Sequence, residues 1–282
     1  MYAVVTCPFV GEFGWELMSW QGWVRAQAAD ADHVVVCSSR GLRPLYADLN
    51  PVFVAHDIEG QRDCLGMKPC RTPARVDAVQ RKLNTYISAF ERSGCEVRQL
   101  VPTKQPVPLS QQKIIPFGDA ERGRRRGEVY SVVVHARNRQ HSLPFGGANY
   151  PVDKWRVIID ALRSAGHSIA SIGAPSASFH LPDTEDLRGV PLERLFDIIA
   201  AARIAIGPSS GPMHLASLCK TPHVVWAGDR FQPVIKANNK TRYETLWNPF
   251  NTPAHVILEP VKGPVTEPNV ILVAVQHMLS KR

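Results

Sequence analysis

A chain of 282 residues has room for one large α/β domain or two small ones, and an apolar fraction of 44% suffices for a proper core. No run approaches the roughly 18 apolar residues of a spanning helix, and MYAVVTCPFV has neither a basic leader nor a small-residue cleavage site, so no transmembrane segment or secretion signal is expected. The six cysteines form no CxxC pair, which argues against a metal knuckle or a disulfide framework and fits a reducing cytoplasm, although Cys64 and Cys70 could pair in an oxidising setting. The net charge of +8 leaves a polyanionic partner open.

In chain order, Ala3–Cys7 reads as a strand and Trp15–Ala29 as a helix with Leu17, Met18, Val24 and Ala28 as its apolar positions. His33–Cys37 is a second strand, Arg43–Leu49 a short helix and Val52–Ala55 a third strand. Val76–Ser93 is a long helix ended by Gly94, and Val97–Val101 is another strand. From about Pro102 to Gly127 the periodicity stops, which marks a linker. Its arginine run, Arg122-Gly123-Arg124-Arg125-Arg126, reads either as a solvated loop or as an attractor of a nucleic acid, a phosphorylated glycan or a membrane surface.

Alternation then restarts. Tyr130–His135 is a strand, Pro151–Ala165 a helix with Trp155, Ile158, Ile159 and Leu162 on one face, and Ser168–Ile172 a strand. Pro191–Ala202 is a helix, Ile204–Ile206 a strand, Pro212–Cys219 a helix, His223–Trp226 a strand and Asn269–Leu279 a terminal helix. Strands separated by helices imply mainly parallel sheets. The expected fold class is therefore α/β, with two Rossmann-like domains facing a central cleft. Residues 1–120 form the first domain, 121–265 the second, and 266–282 a helix that crosses back to the first.

Three loops at the carboxyl ends of strands are the site candidates, because ligands of such sheets collect there. In Ile206-Gly207-Pro208-Ser209-Ser210-Gly211-Pro212-Met213-His214 a strand passes through small residues into a helix. Helix-start amides and the dipole suit an anion, Gly207 and Gly211 would let a phosphate approach, and Ser209 and Ser210 add hydroxyls. His214 either packs in the core or faces the ligand. In His135-Ala136-Arg137-Asn138-Arg139, the arginines suit bidentate phosphate contacts, and His135 could equally be a core residue. In Gly11-Glu12-Phe13-Gly14-Trp15-Glu16, glycines permit a tight turn, and Glu12 could deprotonate an acceptor hydroxyl, while Glu16 in the first helical turn is favourable by dipole alone. Asp229, after the last strand named above, lies at the same edge. Asp30-Ala31-Asp32 resembles a metal-binding DxD but precedes its strand.

The stretch DLRGVPLERLFDIIAAARIAIGPSSGPMHLASLCKTPHVVWAG, residues 186–228, resembles the ADP-heptose:lipopolysaccharide heptosyltransferases, most specifically in SGPMHLASLCKTPHVVWAG. The HARNR segment is similar to the His-x-Arg motif of GT-B fucosyltransferases. The resemblance implies a nucleotide-sugar donor on the second domain, held by His135, Arg137, Arg139, Gly207, Ser209, Ser210, Gly211, His214 and Asp229. It implies a glycan or glycolipid acceptor on the first, near Gly11, Phe13, Gly14 and Trp15. Transfer would be inverting, with no metal and no cofactor. The pair Gly11-Glu12 matches the Gly-Asp pair that carries the family's general base, with Glu16 as the second choice. The family's aspartate before Ser-Gly is Ser209 here, so the donor sugar stays open. Two other readings stay open: transfer to a modified base in DNA, and a non-catalytic nucleotide or nucleic-acid binding protein.

Overall fold

The computed structural model describes residues 1–58, 73–102, 106–138, 149–229, 237–260 and 265–281. The chain divides into two compact units, Met1–Ile115 and Pro116–Arg282.

Unit 1 is a parallel four-stranded sheet in the order β3-β2-β1-β4. Strand β1 (Tyr2–Thr6) sits between β2 (His33–Ser39) and β4 (Glu96–Leu100), and β3 (Val52–His56) lies outside β2. After β1 the chain enters a helix whose middle is unusual: α1 (Phe13–Trp15) opens into a π turn (Glu16–Trp20) before α2 (Gln21–Gln27). The short helix expected over Arg43–Leu49 is a 3-10 helix that spans Arg40–Leu49, with Pro44 inside it. Helix α3 (Pro73–Arg92) packs Leu83 and Ile87 against Val5, Val35, Cys37 and Val54. A parallel sheet covered in this way is why β1 and β2 read as unbroken apolar runs.

Unit 2 is a six-stranded parallel sheet in the order β10-β9-β8-β5-β6-β7. Its strands are β5 (Val132–Val134), β6 (Ile169–Ser171), β7 (Glu185–Asp186), β8 (Ile204–Pro208), β9 (His223–Gly228) and β10 (Ala254–Glu259). The helices are α4 (Ala120–Arg125), α5 (Val152–Ser164), α6 (Leu192–Ala201), α7 (Gly211–Leu218), α8 (Asn239–Thr241), which runs on into a π turn (Arg242–Leu246), and α9 (Pro268–Ser280). The core gathers Trp155, Ile158 and Leu162 of α5, Trp226 of β9 and Ile271, Val275 and Leu279 of α9. The apolar face of the terminal helix is thus taken up inside unit 2.

The stretch expected to be a linker contains α4. Asp119 caps it, accepting from the backbone N–H of Glu121 and Arg122. Arg122 and Arg126 reach Asp197 of α6 at 3.0 and 2.7 Å, and Glu128 binds Arg126 and Arg194. Arg124 pairs with Glu121. Asp197, Glu128 and Glu121 thus offset part of the charge of the arginine run, for which a solvated loop and a polyanion attractor were both open readings. Gly123 has no room for a side chain, because a Cβ there would lie 2.9 Å from the Asp197 carbonyl oxygen.

Candidate functional site

In both sheets the order reverses at the first strand of the unit: β1 has β2 on one side and β4 on the other, and β5 has β6 on one side and β8 on the other. Loops leaving the carboxyl ends of strands at such a switch point diverge and leave a crevice, where ligands of open α/β sheets bind. In unit 1 the loop after β1 carries Gly11 and Glu12. In unit 2 the loops after β5 and β8 carry His135, Arg137, Ser209 and Ser210.

The unit 1 loop is pinned on both sides. Cys7 N–H donates to the Leu100 carbonyl, Phe9 N–H to that of Cys37, and Thr6 Oγ1 accepts from Cys37 N–H. His56, at the end of β3, accepts from Ile58 N–H at Nδ1, which makes Nε2 the protonated nitrogen that donates to the Phe9 carbonyl 2.9 Å away. Burial keeps this imidazole neutral by pushing its pKa down. Glu12 then stands at the N-cap in extended conformation, and its carbonyl accepts from Trp15 and Glu16 while its side chain makes no cap bond. Gly11, Glu12, Phe13, Gly14 and Trp15 are all half-buried.

Glu16 is more deeply buried than Glu12. It is 1% exposed, and Ser38 Oγ and Tyr46 OH both donate to its Oε1, at 2.5 and 2.6 Å. Burial dominates and raises its pKa to about 7, against the pull of the two donors. The π turn that begins at Glu16 aims this carboxyl into the unit. Asp32, of the DxD look-alike, accepts from Tyr2 N–H through Oδ2 and anchors the edge of β1.

In unit 2 the predicted residues converge. Arg137 is 6% exposed and its Nη1 donates to the Ser209 carbonyl at 2.8 Å. Ser210 Oγ lies 2.9 Å from His135 Nδ1. Ser210 is the N-cap of α7, but its hydroxyl makes no cap bond, having turned to His135. The ring of His135 also abuts Gly173, where a Cβ would fall 2.7 Å from Cδ2, and Gly173 has φ +120° besides. Asp229 is exposed beyond β9, its N–H donating to the Glu259 carbonyl.

Two expectations are corrected here. Gly207 belongs to β8 and serves packing: a Cβ would meet the His135 carbonyl oxygen at 2.8 Å and Met213 sulfur at 3.2 Å. The start of α7 is also poorer in amides than its sequence suggests. Pro212 has none, Met213 and His214 N–H turn back to the Ser210 carbonyl, and Ser210 N–H donates to Tyr243 OH at 3.1 Å. Among the described residues that leaves Gly211 to present an amide, with the remaining polarity supplied by hydroxyls and by Arg137. Arg139 lies outside the described residues.

Tyr243 was not among the residues that the sequence singled out. It stands in the π turn after α8, with its hydroxyl 3.0 Å from Ser209 Oγ and 3.3 Å from His214 Nε2. Its ring stacks on His214 with centroids 4.4 Å apart and planes at 7°. His214 meets Trp247 edge-on, and the Arg242 guanidinium lies 4.0 Å from the Trp247 ring centre. His214 is 4% exposed and burial drives its pKa well below normal, so its neutral ring packs inside and its side chain reaches the loop through Tyr243. The available signal was Asn238, whose side chain caps α8 by accepting from Thr241 N–H, followed by Tyr243 and Trp247 at helical spacing.

No protein-family model and no curated protein sequence matches the chain. Solved structures do. A glycosyl transferase family 9 protein from Veillonella parvula is 13% identical, and the alignment covers 100% of this chain and 98% of that one with a TM-score of 0.60. The E. coli ADP-heptose lps heptosyltransferase II is 16% identical over 100% and 99%, with a TM-score of 0.58. An E. coli heptosyltransferase solved with ADP is 13% identical over 99% and 100%, also at 0.58. Full coverage in both directions means that this chain has the two-unit GT-B fold of these proteins from end to end.

Proposed function

We propose that this protein is a glycosyltransferase that moves a sugar from a nucleotide-sugar donor to an acceptor hydroxyl. The observation that carries this reading is the convergence of His135, Arg137, Ser209 and Ser210 at the switch point between β5 and β8, ahead of the start of α7. This is where the fold collects a ligand, and its donors suit a diphosphate: a guanidinium, two hydroxyls and the Gly211 amide. The shared fold with glycosyltransferases, one of them solved with ADP, supports the same reading.

In this reading Arg137 and the 209–211 loop stabilise the negative charge that builds on the leaving nucleoside diphosphate. The charge comes from the chain's own donors, so the reaction as proposed needs no metal. Glu12, half-exposed at the unit 1 switch point, takes the proton of the acceptor hydroxyl as it attacks the anomeric carbon, and a single displacement of this kind inverts that carbon. Glu16 supports the π turn and takes no proton from substrate, since it is 1% exposed and bonded inward to Ser38 and Tyr46. The acceptor is a glycan or glycolipid. Transfer to a modified base in DNA leans on the arginine run, and Arg122, Arg124 and Arg126 are already paired with Asp197, Glu121 and Glu128.

The test is release of nucleoside diphosphate from a panel of ADP-, GDP-, UDP- and CDP-sugars. One donor is expected to turn over, faster when its acceptor is added, and Glu12→Gln is expected to abolish turnover while keeping donor binding. No turnover with any donor, or full activity in Glu12→Gln, would contradict the transferase reading or the base assignment respectively.

A further inference from the structure

Resting on the donor-site reading above, we propose that His214 and Tyr243 are positioning residues that hold the Ser209 hydroxyl proton outward, making Ser209 a donor to the diphosphate. Three heteroatoms lie in series: His214 Nε2, Tyr243 OH at 3.3 Å, and Ser209 Oγ a further 3.0 Å on. A phenol has one proton to give and two lone pairs to fill. One lone pair of Tyr243 is filled by Ser210 N–H, whose direction is fixed because an amide only donates.

The Tyr243 proton has three acceptors in reach, of which the Ser210 carbonyl at 3.5 Å is the most distant, and His214 distinguishes the other two. Its Nδ1 is buried with no partner among the described residues. Were Tyr243 to donate to Nε2, the neutral ring would carry its proton on Nδ1, and a buried N–H would be left unbonded. With the proton on Nε2 instead, His214 donates to Tyr243, and only a lone pair is orphaned on Nδ1. Orphaned acceptors are tolerated better than orphaned N–H groups. The second arrangement therefore prevails. Tyr243 then has both lone pairs filled, by Nε2–H and by Ser210 N–H, and gives its own proton to Ser209 Oγ at 3.0 Å, a nearer acceptor than the Ser210 carbonyl at 3.5 Å. Ser209, its oxygen occupied from behind, has its own proton left to give, and half-burial leaves it at the surface of the site. The stack of His214 on Tyr243 and its edge contact with Trp247 fix the ring plane that this relay needs.

Isothermal titration of the full chain with ADP, GDP, UDP, CDP and inorganic pyrophosphate tests the relay. Ser209→Ala and Tyr243→Phe are each expected to weaken binding of the preferred nucleotide by about tenfold, the effect of one hydrogen bond to a charged group. The double variant is expected to be no weaker than either single one, because both remove the same donor. Ser209→Thr, which keeps a hydroxyl, is expected to bind like the wild type. Losses that multiply in the double variant, or Ser209→Ala binding as tightly as the wild type, would overturn the relay. Should Tyr243→Phe fail to fold, the Ser209→Ala and Ser209→Thr pair carries the test alone. A wild type that binds none of these probes overturns the donor-site reading and the relay with it. Binding by the wild type that the variants share unchanged overturns only the relay.

Discussion

The two switch points occupy the same place in their sheets and use their polar residues in opposite ways. After β1, the loop is held by backbone bonds and by His56, and the most strongly perturbed carboxyl nearby, Glu16, faces inward onto Ser38 and Tyr46. After β5 and β8, the side chains themselves form the connections, from Arg137 and His135 on one loop to Ser209 and Ser210 on the other, with Tyr243 behind. The first arrangement carries Glu12, a half-exposed carboxylate, which the proposed mechanism takes as the base. The second gathers hydrogen-bond donors, as an anion site requires. A shared topology fixes where a ligand goes; the residues that the loops spend on one another decide what chemistry is left for it.

The comparison breaks first at Glu12. If unit 1 supplies the base, Glu12→Gln lowers kcat by about 10²- to 10⁴-fold, with the affinity for nucleoside diphosphate unchanged. Single-turnover kinetics beside titration would show this split. Arg137→Ala should do the reverse. Loss of the guanidinium frees the Ser209 carbonyl and weakens diphosphate binding by roughly 10- to 100-fold, the range for a charged hydrogen bond.

Glu16 sharpens the contrast through pH. Its carboxyl titrates at about 7 in the folded chain against 4.5 when free. The native state therefore holds the proton more tightly than the unfolded one. The resulting stability is fully present below pH 4.5 and is lost as pH rises through about 7, a swing on the order of 3 kcal/mol for a shift of this size. Thermal melts at pH 5 and pH 8 should show a fall in Tm in the wild type that Glu16→Gln largely removes, with transfer activity far less affected than by Glu12→Gln. A loss of turnover in Glu16→Gln as deep as in Glu12→Gln would exchange the two roles. The smallest effect is expected at Arg124 and Arg125, exposed on α4. Their joint replacement by alanine should leave melting and transfer nearly unchanged.

Much of this was legible in the sequence, for identifiable reasons. Val-rich runs such as His33–Cys37 and amphipathic stretches such as Pro151–Ala165 carry their periods plainly, and they became β2 and α5. The loops holding Glu12, Arg137 and Ser209 could be placed because each follows a clear strand. What escaped was short or irregular. The helix α4 is six residues long and arginine-rich, so its one capping signal, Asp119, was lost in a run that looked unstructured. Tyr243 sits in a π turn, which keeps no 3.6-residue period, and its partners Ser209 and His214 are 34 and 29 residues away. Gly207 looked like a phosphate glycine because sequence cannot show that the His135 carbonyl fills the space beside it. The burial of Glu16 was equally invisible, since it depends on Tyr46, 30 residues on.

Hydrogen exchange measured with and without the preferred nucleoside diphosphate tests the central claim most directly, since bound ligand slows exchange where it lies. Slowed exchange in peptides covering 134–138 and 207–218 is the predicted result. Protection confined to unit 1, with those two segments exchanging as in the free protein, would contradict it.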